Sequence, residues 1–212
     1  MDTLQNYLYI VPAALIAITL HEYAHGYVSY KLGDPTPAQT GRLSLNPMAH
    51  LDLVGTLCLI LFKFGWAKPV QVNPYYYKNK KSGMVMVGIA GPAMNFLIAL
   101  ICAIVMSIII KVTRGNTVSA SVYALFKFIN ISYILNIGLG VFNLIPFPPL
   151  DGAKIVGGLL PENLYFKWMK YEKYGQLVVF GLLALGFLDM PLGVMRGFVE
   201  KVLWTITKLI IK

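Results

Sequence analysis

Residues 82–110 read SGMVMVGIAGPAMNFLIALICAIVMSIII, 29 residues without a charge between Lys81 and Lys111. About 20 apolar residues carry a helix across a hydrocarbon core of about 30 Å, so this run predicts a membrane-spanning helix. Residues 128–150, between Lys127 and Asp151, hold 23 uncharged residues and predict a second. The stretch from Asn6 to Tyr30 predicts a third, and it carries His21, Glu22 and His25. It does not read as a cleavable leader, because no Lys or Arg precedes the apolar region and no small-residue cleavage site follows it. Near the other end, Tyr174 to Leu188 is apolar. A last segment, Val194 to Ile211, is interrupted by Arg196, Glu200, Lys201 and Lys208, so it either spans or lies along the interface.

One stretch is too short to cross. Leu53 to Phe62 lies uncharged between Asp52 and Lys63, about 15 Å as a helix, and predicts a re-entrant or interfacial segment. After it, GWAKPVQVNPYYY (residues 65–77) contains prolines and a glycine that forbid a long helix but allow short extended pieces. The expected fold is all-α: a polytopic transmembrane helical bundle of about five spans, with a re-entrant or short extended segment after the first helix. It reads as one membrane-embedded domain over residues 1–212, with a core of about 6–155, C-terminal helices at about 174–211, and no room for an appended soluble domain. No internal repeat or low-complexity linker interrupts it.

Composition agrees. Hydrophobic residues are 57% and charged residues 13% of the chain, where soluble domains carry about 25% charge, and mean hydropathy is +0.66. Disorder is excluded by the same figures. The two cysteines, Cys58 and Cys102, both sit in apolar runs and offer neither a disulfide framework nor a thiolate metal cluster. The net charge of +9 lies between apolar runs, the pattern of the positive-inside rule and not of a nucleic-acid face. Lys31, Arg42, Lys63, Lys68, Lys78, Lys80 and Lys81 fall in one connection, and Lys154, Lys167, Lys170 and Lys173 follow Asp151. The connection between the two longest runs offers only Lys111 and Arg114. A multi-pass protein of the cell membrane, with its N-terminus outside and both basic regions in the cytoplasm, is expected.

The chemistry stands in HEYAH, residues 21–25. Helix positions i and i+4 are about 40° apart around the axis and about 6 Å along it, so His21 and His25 face one way and can share a metal. Glu22 stands beside the first of them, where its carboxylate can take a proton from water activated at the metal. Burying one Glu and two His inside a span costs several kcal/mol, which marks a functional site and not a chance pattern. A catalytic zinc takes a third protein ligand, and the chain has only nine Asp and Glu. Asp151 is the candidate, in FNLIPFPPLDG (residues 142–152), where an inward-running span breaks at Pro146. Glu22 lies about 24 Å along the first inward-running helix, so the two depths agree.

HEYAHG, GRLSLNP, GWAKPV, AGPAMN and FNLIPFPPLDG together resemble the site-2 protease family of intramembrane zinc metalloproteases, in its short form without a PDZ or CBS domain. The resemblance runs from about His21 to Ile155. It implies one zinc ion per chain bound by His21, His25 and Asp151, Glu22 as general base, and a substrate-facing role for Asn143 and the Pro-rich turn. The expected activity is hydrolysis of a peptide bond in a transmembrane protein substrate near the cytoplasmic face. The lipid bilayer is the other partner, and nucleic acid is not expected.

Weaker signals remain open at this level. Asn143 either contacts substrate or oxyanion, or satisfies backbone carbonyls freed near Pro146. Asn95 either joins helices or holds substrate backbone. His50 and Asp52 form a His-x-Asp pair read as structural hydrogen bonding, and Tyr75, Tyr76 and Tyr77 beside Lys78, Lys80 and Lys81 read as an interfacial anchor. Gly88 and Gly91 permit close helix packing. Two rival readings are a non-catalytic metal-bearing scaffold, which the intact Glu22 opposes, and a small transporter, which would show inverted repeats.

Overall fold

Each of the three apolar runs contributes one long helix. In the computed structural model, which describes residues 2–52, 55, 67–113, 118–161, 164 and 172–211, α1 covers Asp2–Lys31, and the four-residue α2 covers Thr36–Gln39. α3 covers Lys80–Thr113 and α4 covers Ala120–Asn143. Gln5–Lys31, Lys80–Thr113 and Ala120–Asn143 are each long and apolar enough to cross a membrane. Asn79 caps α3 by accepting the Ser82 N–H at 3.0 Å, and Lys111 lies in its last turn, where a cation complements the helix dipole.

α5 (Asp151–Leu159), α6 (Glu172–Ala184) and α7 (Asp189–Ile210) complete the described helices. Of the about five spans expected, the described residues show three single helices and one bent pair that qualify. At 13 residues, α6 is only about 20 Å long. It meets α7 at a 90° bend, so the pair adds at most one broken span to the three. The bend sits at Gly186, whose φ of +74° lets Phe187 N reach Leu182 O at 3.0 Å in a glycine-terminated helix end. The expected re-entrant stretch Leu53–Phe62 lies outside the described residues except Gly55. Among the described residues there is no strand, only an antiparallel bridge between Leu51 and Ala67.

α3 is the hub, packing on α1, α4 and α5. Ala99 and Ala103 of α3 and Ala13 and Ala17 of α1 are buried, and such small side chains let membrane helices approach closely. Cys102 and Met106 of α3 pack with Tyr133, Ile137 and Val141 of α4 and Leu203 of α7. The outer faces carry Leu8, Val11, Met86, Ile101 and Leu125, all exposed. Apolar surface that wide suits lipid and would aggregate in water.

Candidate metal centre

Local backbone rules bring three donors to one point. α1 places His21 and His25 one turn apart, both buried, with ring centroids 4.6 Å apart. α4 stops at Asn143 because Pro146, Pro148 and Pro149 follow and cannot continue a helix. α5 then starts at Asp151, packed against α3, with its first turn close to the carbonyls that follow α4. A Cβ at Gly152 would collide with the Leu144 and Ile145 carbonyls, so only glycine allows this approach. Gly91 does the same on α3, where a Cβ would lie 2.6 Å from His21 Nε2. The result is a triangle. Asp151 Oδ2 lies 3.1 Å from His21 Nε2 and 3.0 Å from His25 Nε2, and the two nitrogens are 3.0 Å apart.

The hydrogen bonds behind the rings decide what those atoms are. His25 Nδ1 lies 2.7 Å from the Val87 carbonyl oxygen, which can only accept, so Nδ1 carries the proton. His21 Nδ1 lies 2.6 Å from Asn95 Oδ1 and donates likewise. With Nδ1 so engaged, each ring in its neutral form turns a lone pair on Nε2 toward the carboxylate oxygen. Three lone pairs converging in a buried site repel unless a cation lies among them. Tetrahedral zinc with bonds of about 2.0–2.1 Å spaces its donors by about 3.3 Å, within about 0.3 Å of the triangle observed. The residues fit zinc, and ring nitrogens held from behind are how proteins orient such ligands.

Lys154 Nζ sits 2.9 Å from Asp151 Oδ1, which leaves Oδ2 for the histidines. Glu22 Oε2 accepts the Val70 N–H at 2.9 Å, so the segment after the bridge lies directly over the motif. His21, Glu22, His25, Val70, Asn143 and Asp151 help line a cavity of about 100 Å³. Asn143 donates Nδ2 to Leu139 O of its own helix at 3.0 Å and lines that cavity.

Of the two readings of Asn95, the structure shows the bonds of the first, between helices. The residue is fully buried behind His21, with Nδ2 donating to Ala17 O at 3.3 Å and to Asn136 Oδ1 at 2.8 Å. Its amide is spent on helix contacts and on the His21 ring, with nothing left for substrate. His50 is also fully buried and donates Nε2 to Ser44 O at 2.8 Å, while Asp52 Oδ1 accepts the Gly55 N–H, so this pair serves local structure. Tyr75 and Tyr76 are exposed, with Lys80 Nζ 4.3 Å from the Tyr75 ring centroid.

Sequence reading missed Asp34. α1 ends at Gly33 (φ +100°), and Asp34 N returns to Ser29 O at 3.2 Å. The Asp34 carboxylate then accepts from Ser29 Oγ (2.7 Å), Thr36 N (2.9 Å) and Asn73 N (2.7 Å). Burial pushes its pKa up, and these bonds more than reverse that, leaving it below the usual value. Ser29 spends its proton on Asp34, so the Tyr77 hydroxyl, 2.7 Å away, donates to Ser29. The latch ties the end of α1 to residues 73–77, three positions after the residue that holds Glu22. The Asp-Pro after a glycine was the available signal, as a turn with an accepting carboxylate.

Long apolar helices enclosing two imidazoles and a carboxylate are the arrangement of a membrane-embedded metalloprotease. The model of Peptidase family M50 matches residues 105–186. "Putative zinc metalloprotease YwhC" of Bacillus subtilis is 39% identical over 170 residues, which cover 80% of this chain and 77% of that protein. The chain therefore belongs to peptidase family M50, the site-2 protease family, and is a zinc metalloendopeptidase of that type. "Putative zinc metalloprotease Rip2" of Mycolicibacterium smegmatis is 24% identical over 209 residues, covering 93% of this chain and 73% of that one. "Zinc metalloprotease MJ0392" of Methanocaldococcus jannaschii is 26% identical over 177 residues, covering 82% of this chain and 42% of its own length. No solved structure is a significant match.

Proposed function

We propose that this protease hydrolyses a peptide bond of a transmembrane protein near the cytoplasmic face of the membrane, with His21, His25 and Asp151 holding one zinc ion and Glu22 acting as general base. The observation that carries the reading is the closure of three lone-pair donors to 3.0–3.1 Å inside apolar helices. Zinc held there supplies Lewis acidity, acidifying water and polarising a scissile carbonyl. Glu22 takes the proton of the attacking water and later returns it to the leaving amine. The Val70 N–H fixes Oε2 and so orients the carboxylate, leaving Oε1 for proton transfer. Asn143 has a second amide N–H beyond the one given to Leu139 O, and offers it to the developing oxyanion.

Substrate access follows from size. A cavity of about 100 Å³ has the volume of about three liquid waters, so a peptide enters only when the segment around Val70 shifts. A helical substrate hides its carbonyls in hydrogen bonds and must unwind locally before attack. Val70, Gln71 and Val72 then receive the unwound strand by edge pairing. The basic residues of 31–81 and 154–173 support a cytoplasmic position for both regions and an outside N-terminus in a multi-pass arrangement. The test is incubation of purified, zinc-loaded protein in lipid with a panel of single-span substrates, beside Glu22→Gln. Cleavage by the wild-type chain, reduced by about 10²–10⁴-fold in the variant at equal zinc content, supports the reading. Full activity in Glu22→Gln would remove the general base.

A further inference from the structure

A chain of amides runs from the metal-facing ring across two helices, and its direction is fixed at the far end. Asn136 of α4 is fully buried and donates Nδ2 to the Ser132 carbonyl at 2.8 Å. A carbonyl only accepts, so Asn136 must turn its Oδ1 outward, where it takes the Asn95 Nδ2 proton at 2.8 Å. The Ala17 carbonyl takes the other Asn95 proton at 3.3 Å. Asn95 is thereby obliged to face His21 with Oδ1, and His21 must answer with Nδ1–H, 2.6 Å away. Were the Asn95 amide reversed, its Nδ2 would demand an acceptor from Nδ1. The His21 proton would then sit on Nε2, the atom that has to face the metal with a lone pair.

We propose that Asn136 is a positioning residue that acts through Asn95 to hold His21 in its metal-binding tautomer. The inference rests on the His21–zinc reading above. In this arrangement α4, which supplies no ligand of its own, sets the protonation pattern of a ligand on α1 through an amide on α3. It also separates two roles that look alike in the sequence. Asn143, seven residues later on α4, faces the cavity, whereas Asn136 faces the helix interface and touches neither metal nor substrate.

The test measures zinc affinity of the full-length protein in detergent, by competition with a chromophoric chelator and without reference to cleavage. N136A should weaken zinc by up to about 10-fold, the lower end of what outer partners of metal ligands contribute. N136D, protonated at this buried position, still accepts from Asn95 and donates to the Ser132 carbonyl, and should bind within about twofold of wild type. In an N95A background, N136A should cause no further loss, because its effect travels through that amide. If N136A does not fold, N136S takes its place, since its hydroxyl reaches its own helix carbonyl but not Asn95. Wild-type affinity in N136A or N136S, or the same fold-loss with and without N95A, would overturn the proposal. A wild-type chain that binds no zinc would overturn the metal-site reading beneath it.

Discussion

Gly91→Ala tests the packing that builds the centre, through a single methyl group. In the structure a Cβ at Gly91 lies 2.6 Å from His21 Nε2, whereas ordinary contacts begin near 3.4 Å. The α1 imidazoles must therefore retreat from α3 by about 0.8 Å, or the helices must separate by a similar distance. Such overpacking costs about 1–3 kcal/mol. The larger effect falls on the metal. Coordination distances tolerate about 0.2 Å, so the displacement is about four times what a donor triangle closed at 3.0–3.1 Å can absorb. The expected outcome is a folded protein whose zinc affinity falls by about 10–100-fold or more, read by chelator competition and by metal content after purification. Gly138→Ala is the matched control, since a Cβ there meets nothing within 4 Å and α4 gains a better helix former. It should keep wild-type zinc and equal or slightly higher thermal stability. Wild-type zinc affinity in Gly91→Ala would refute the close approach of α1 to α3 at the ligands.

Other consequences are tested directly. His25→Ala and Asp151→Ala should each lose most of the zinc that wild type retains at close to one per chain, by elemental analysis, because two donors make a poor site; unchanged content would break the assignment. Cysteines placed at Ser44 and Asn79, in a background lacking Cys58 and Cys102, should both be shielded from an impermeant thiol reagent in intact cells. One placed at Asn116 should be labelled, and opposite labelling at 44 and 79 would mean that residues 53–62 cross. The lowered Asp34 pKa adds stability that is complete above its ordinary value of 3.8 and is lost as pH falls through the lower, folded-state value. Asp34→Asn should therefore flatten the acid limb of the stability profile and cost about 1–3 kcal/mol at neutral pH, where an amide N–H faces donors; an unaltered acid limb would dismiss the latch.

The features that the sequence made legible are those set by short-range rules. His21 and His25 share a face because i and i+4 always do on a helix, and α3 and most of α4 are visible as uncharged runs bounded by charged residues. Asp151 could be found because acidic residues are scarce and its depth matches that of the histidines. Features that depend on helix rotation were not legible. Asn95 and Asn136 are 41 positions apart and meet only through the way α3 crosses α4, so the sequence offered Asn95 as a residue that joins helices without naming its partner. The hold of Val70 on Glu22 is a backbone contact, and no side chain announces it. Of the about five spans expected, the described residues show three helices long and apolar enough to cross, and a bent pair, α6 and α7, that counts as at most one more.

The polar groups at the centre of this bundle have one pattern. Asn136 is satisfied by Ser132, Asn95 by Ala17 and Asn136, and the two Nδ1–H groups by Asn95 and Val87. The buried donors in that chain are therefore met within the protein, as an apolar surrounding demands. Only acceptors are left to converge, on Nε2 of His21, Nε2 of His25 and Oδ2 of Asp151. On the proposed zinc reading, the two imidazoles are oriented when α1, α3 and α4 pack, and metal binding need not reorder them. The face of the site toward Glu22 and Val70 is built differently, from one carboxylate and one backbone N–H beside a small cavity. On the proposed reading, ligands held from behind and a Glu22 carboxylate held in front by the Val70 N–H suit a protease whose substrate reaches the site past that segment.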